Sequence, residues 1–99
     1  MARAWITSFR GVGAVGAAVT QAPIVPPLGQ QHVDFVASVA SDPIPEGAEI
    51  ILVHPDDDCH VEFGNDPVAT TESMRLPAGS MSYFTVGGRN MRLAFTLAL

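Results

Sequence analysis

Residues 46–97 read EGAEIILVHPDDDCHVEFGNDPVATTESMRLPAGSMSYFTVGGRNMRLAFTL, and this half of the chain decides the fold class. Four short apolar runs, Ala48–Val53, Cys59–Phe63, Met81–Val86 and Met91–Leu97, are separated by turn chemistry. The breaks are His54-Pro55-Asp56-Asp57-Asp58, the long Gly64–Ser80 connection, and Gly87-Gly88-Arg89-Asn90. Val53, Val61, Phe63, Tyr83, Thr85 and Leu93 give the runs the β-branched and aromatic character of a pleated, half-buried surface. No window combines helical spacing of apolar residues with helix caps. The expected class is all-β.

Outward from this stretch the same pattern continues. Arg3–Phe9 alternates, with Trp5, Thr7 and Phe9 on one face and Ala4, Ile6 and Ser8 on the other. Gln31–Val39 alternates most regularly, His32, Asp34, Val36 and Ser38 against Val33, Phe35, Ala37 and Val39, and reads as one strand. Between these two strands, residues 11–30 form a glycine- and proline-rich turn and arm. Gly11-Val12-Gly13-Ala14-Val15-Gly16 has the letters of a dinucleotide fingerprint. Too few residues precede Pro23 for the helix that motif opens, so it reads as a flexible turn. Pro23, Pro26 and Pro27 then set an extended segment that cannot enter the middle of a sheet. Six or seven strands at intervals of about ten residues predict a single-domain β-sandwich or jelly-roll-like small barrel with an extended Pro-rich arm.

Composition limits what such a domain does. Ninety-nine residues make one domain, which buries roughly two-thirds of its unfolded surface. Against that capacity the chain is 47% hydrophobic and 15% charged, with a mean hydropathy of +0.27. Apolar surface beyond what one small core absorbs marks interfaces, so a homo-oligomer is expected. Five scattered arginines, no lysine and a net charge of −5 argue against nucleic acid and against anionic membranes as partners. The lone Cys59 excludes an internal disulfide. No run approaches the ~20 apolar residues of a membrane span, and nothing resembles a signal peptide.

The chemically richest stretch is His54-Pro55-Asp56-Asp57-Asp58-Cys59-His60-Val61-Glu62. Imidazoles, carboxylates and a thiol so close together could supply a transition-metal site. Strand parity works against a Cys–His site, because His60 and Glu62 share a face while Cys59 points inward with Val61 and Phe63. The bland reading is an acidic turn, a buried thiol and two solvated side chains. Leu76-Pro77-Ala78-Gly79-Ser80-Met81-Ser82 is similar to the second cupin motif, but Ser82 stands where the metal-binding histidine belongs and the paired histidines of the first motif are missing. A cupin-like metal-dependent enzyme using His54, His60 and Glu62 is therefore the alternative; the leading expectation is a non-enzymatic protein with no catalytic residue, metal or cofactor.

Three blocks together, ARAWITSF (2–9), APIVPPLGQQHVDF (22–35) and CHVEFGNDPVATTESMRLPAGSMSYFTV (59–86), resemble small β-rich structural proteins of tailed bacteriophages. The resemblance covers most of the chain except the glycine-rich run. It implies a virion location, with the chain a capsid decoration or cement subunit that binds the major capsid protein; a tail or neck subunit is the alternative. A trimer is implied in the same way, by analogy with head proteins on three-fold axes. From the residues themselves, the interface is expected at the apolar side chains the core is least able to absorb: Trp5, Ile6 and Phe9 of the first strand, and Ile24, Val25 and Leu28 of the arm.

Overall fold

A computed structural model describes residues 2–14, 21–23, 26–86 and 90–98, with only the backbone course given for 12–14 and 21–23. The described residues form ten strands and no helix: β1 (Ala2–Phe9), β2 (Val12–Ala14), β3 (Gln21–Pro23), β4 (Gly29–Phe35), β5 (Val39–Ala40), β6 (Ile50–Pro55), β7 (Cys59–Gly64), β8 (Met74–Leu76), β9 (Ser82–Thr85) and β10 (Arg92–Leu97). A first sheet runs β4-β1-β6-β9 and a second runs β5-β10-β7-β8, antiparallel throughout. The all-β sandwich expected from the sequence is the observed fold. Chain segments pass repeatedly from one sheet to the other, as in double-sheet jelly rolls.

Period-two alternation builds the core. On β1, Ala4 and Ile6 are fully buried while Trp5 faces out; on β6, Ile51 and Val53 are buried between the half-exposed Leu52 and His54. Cys59 and Val61 of β7 and Leu93 and Phe95 of β10 meet them from the second sheet. Two aromatic pairs bridge the layers, Phe35–Phe95 at 5.5 Å and Phe63–Phe84 at 5.0 Å between ring centroids, so β4 lies over β10 and β9 over β7. Two type II-like turns use glycine where positive φ is required: Gly47 (φ 86°) closes Pro45–Ala48, and Gly79 (φ 76°) closes Pro77–Ser80.

The structure revises three local expectations. Gln31–Val39 is not one strand: β4 ends at Phe35, the chain bends at Val36-Ala37, and β5 joins the other sheet against β10. The Gly64–Ser80 connection contains β8, which extends the second sheet beyond β7. Val12–Ala14, within the run read as a flexible turn, is a strand paired in a ribbon with Gln21–Pro23, with Pro23 opposite Val12, so the extended course expected at 21–23 is kept. Both ends of the described chain lie at one corner: Ala2 pairs with Phe35, and Leu97 donates its N–H to the neighbouring Val36 carbonyl.

Candidate interaction face

The two outer faces of the sandwich differ in what covers them. On the second sheet, Ala94 alternates with the core residues Leu93 and Phe95, so it points outward, yet it is fully buried. The 64–73 connection folds back on this side. Ala69 is buried and donates its N–H to Ser38 Oγ (2.9 Å), Ser73 Oγ donates to Glu62 Oε2 (3.0 Å), and His60 Nδ1 lies 3.0 Å from the Ser73 carbonyl. The domain covers this face with its own loop.

On the first sheet Phe9 is covered at one end of this side, but among the described residues no loop crosses the stretch around Trp5, Leu52 and Tyr83. Register lines up its outward side chains in rows across the strands. One row holds Gln30, Thr7, Leu52 and Tyr83; the next holds His32, Trp5 and His54, with Met81 one step beyond the last paired residue of β9. The only tryptophan and the only tyrosine of the chain thus share one sheet face, 42% and 53% exposed, with Met81 at 63%. Trp5 packs on His54 with ring centroids 5.9 Å apart, and a shallow depression opens between it and Thr7, Gln30 and His32. Charge is scarce and internally matched: Arg3 Nε donates to Asp34 Oδ1 at 2.6 Å, which raises the guanidinium pKa and lowers that of the Asp34 carboxyl. Both groups are exposed, so the pair adds little stability. Its effect is to neutralise the face of an acidic molecule. Aromatic residues, methionine and few net charges are the composition of interface centres.

The sequence-predicted interface residues divide. Trp5 lies on this face. Ile6 is fully buried in the core between the sheets, whereas Phe9 shares the outward side of β1 with Trp5 but is only 7% exposed, so neither is free to form a contact. Leu28, 40% exposed, sits at the foot of the ribbon, where its N–H bonds the Ser8 carbonyl. Ile24 and Val25 lie outside the described residues. The structure adds Tyr83, Leu52, His54, His32 and Met81, which are far from Trp5 in sequence. The usable signal was the parity Tyr83 shares with Met81 and Thr85, but it carries no pointer to β1.

The acidic turn is structural. Asp56 Oδ1 accepts the Arg3 N–H (2.7 Å), Asp57 Oδ1 accepts the Asp58 N–H, and Asp58 Oδ1 accepts the Ala78 N–H (2.7 Å) while its other oxygen meets Arg75 (3.3 Å). His54 lies on the outer face of the first sheet and His60 on that of the second, so the core separates the histidines of the metalloenzyme alternative. Among the described residues no three His, Cys, Asp or Glu side chains converge on a metal-sized site. Cys59 is fully buried, and burial, followed by the nearby Asp58 and Asp57 charges, pushes its thiol pKa up to about 11, away from nucleophilic use. A cleft of about 380 Å³ lined by Ile44, Pro45, Glu46, Gly47, Ala48, Val86 and Asn90 contains one carboxylate and no nucleophile.

No protein-family model, curated protein or solved structure matches this chain.

Proposed function

We propose that the chain is a non-enzymatic assembly subunit that docks on another protein through the outer face of the first sheet. The observation that carries this is the asymmetry of the sandwich. One outer face is covered by the 64–73 loop, whereas the other presents Trp5, Tyr83 and Met81 around a neutralised ion pair. Aromatic side chains held on paired strands lose little entropy on docking, which leaves more of the contact energy for affinity. The resemblance of residues 2–9, 22–35 and 59–86 to tailed-phage structural proteins supplies the setting: the virion, as a decoration or cement subunit on the head shell, with the major capsid protein as partner. A tail or neck position uses the same face.

The test is co-sedimentation with shells assembled from a major capsid protein encoded in the same genome as this chain. Saturable binding, lost in the double variant Trp5→Ser, Tyr83→Ser with an unchanged far-UV spectrum, is the expected result. Shells that sediment without the wild-type chain would overturn the head reading. Binding that survives the double variant would overturn the face.

A further inference from the structure

The sandwich has four sheet edges, and three are blunted. Along β4, Gln31 makes two side-chain hydrogen bonds to the Asp42 backbone, and Pro45 packs on Gly29. β5 is two residues long and runs on towards Pro43. β8 is three residues long and carries Arg75 at its centre. Among the described residues the β9 edge has none of these devices. Residues 81–86, Met-Ser-Tyr-Phe-Thr-Val, contain no charge and no proline. Natural sheets rarely leave an uncharged edge open, because it is a template for another strand.

The hydrogen-bond phase of this edge is fixed. Val86 donates its N–H to the Glu49 carbonyl, one step beyond the Ile50–Thr85 pair. In an antiparallel ladder successive residues alternate between the two sides, so Val86, Phe84 and Ser82 bond towards β6. The N–H and C=O groups of Tyr83 and Thr85 therefore point away from the sheet. Beside them the core is open. Met74 pairs with Val61 and so belongs to the inward set, yet it is 51% exposed, and Phe63 and Phe84 are only partly buried.

We propose that this β8–β9 flank is the contact between two copies of the chain, made by antiparallel pairing of β9 with its counterpart across a two-fold axis. One register satisfies both the backbone phase and the side-chain parity. With Phe84 opposite Phe84 of the second copy, Tyr83 stands opposite Thr85 of the second copy. Tyr83 and Thr85 then form the hydrogen-bonded pairs, four bonds by symmetry. The two Phe84 side chains meet on the inner face at a non-hydrogen-bonded position, where strands approach most closely, and close the gap over Met74. The uncharged segment lets two chains of net charge −5 approach where no like charges oppose. The first sheets fuse into one eight-stranded sheet with two Trp5 faces side by side. This two-fold contact differs from the three-fold implied by resemblance, and it does not depend on a virion setting.

The test is sedimentation equilibrium of the wild type with Thr85→Pro and Thr85→Lys. Thr85→Pro deletes an outward N–H at a position that does not bond β6, and proline is tolerated on edges. Thr85→Lys leaves the backbone intact and places charge beside the two-fold. The wild type is expected at twice 10.4 kDa. Each variant should raise the dimer dissociation constant by about tenfold or more, since two bonds are lost or a charged ammonium is set beside Tyr83 of the second copy at both symmetry-related pairs. Far-UV spectra should be unchanged. A wild type that stays at one chain mass across the concentration range, or a dimer that survives Thr85→Lys, overturns the proposal. Shell binding has no part in this readout, so it fails or succeeds separately from the docking face.

Discussion

Replacing Ser41 by alanine isolates the cost of one unpaired donor in the core. Ser41 is 4% exposed and lies where the chain leaves β5. Its own N–H bonds the Leu93 carbonyl (2.7 Å), and its Oγ accepts the Leu93 N–H (3.0 Å) while donating to the Asp42 carbonyl (2.9 Å). The hydroxyl thus stands in for the backbone acceptor that a regular strand would offer. Leu93 is fully buried, so in Ser41→Ala no water replaces the acceptor. An unsatisfied buried N–H costs about 1–3 kcal/mol, while the side-chain volume barely changes. For a chain of this size, about 2 kcal/mol lowers Tm by roughly 10 °C. The control is Ser80→Ala, which removes a hydroxyl bonded to the Pro77 carbonyl (2.7 Å) in a solvent-exposed turn and should cost under about 0.5 kcal/mol. Urea and thermal unfolding of both variants read the difference. If Ser41→Ala unfolds within about 0.5 kcal/mol of the wild type, burial is not what gives this hydroxyl its value and the reasoning fails.

The Cys59 thiol, ordinarily near 9 and held at about 11 in the fold, stays protonated in the native chain where the unfolded chain ionises. The native state then binds more protons, so stability should fall as pH rises from 9 to 11, by of order 2–3 kcal/mol at most. Urea midpoints across that range should show the fall, and Cys59→Ala, although less stable overall, should show a flatter profile. Asp58→Ala removes the acceptor for the Ala78 N–H and the partner of Arg75, and should destabilise by about 1–2 kcal/mol. Most of that loss should remain in Arg75→Ala, Asp58→Ala relative to Arg75→Ala, because the exposed ion pair contributes little. A double-mutant cycle checks it.

The sequence showed where the strands are better than which way they face. β1 alternates as read, but both its faces carry apolar residues, and alternation alone cannot choose between Ile6 and Trp5 as the inner one. The choice is made by neighbours on both sides, β4 and β6, whose own buried positions, Val33 and Val53, line up with Ala4 and Ile6. Val36-Ala37 stayed hidden for a related reason: alternation continues through a bend, so a strand that changes sheets looks like one that does not. β8 is too short to display a period at all. The docking face could not be read from any one segment, because Trp5, His54 and Tyr83 become neighbours only through register.

The order of pairing has a further consequence, for how the chain can fold. Drawn as arcs over the sequence, the β7–β8 arc lies inside β6–β9, which lies inside β5–β10; separately, β2–β3 lies inside β1–β4. Residues 56–81 separate β6 from β9, but once β7 and β8 have paired only 56–58 and 77–81 remain slack. Loop closure then costs about 1 kcal/mol less, and the saving recurs at each enclosing arc. The pairing of β2 with β3 does the same for β1 and β4. Two ladders break the scheme: β7–β10 crosses β6–β9, and β1–β6 crosses β5–β10, as the pairings of a pseudoknot do. Of the two, it is β1–β6 that ties the two nests into one molecule.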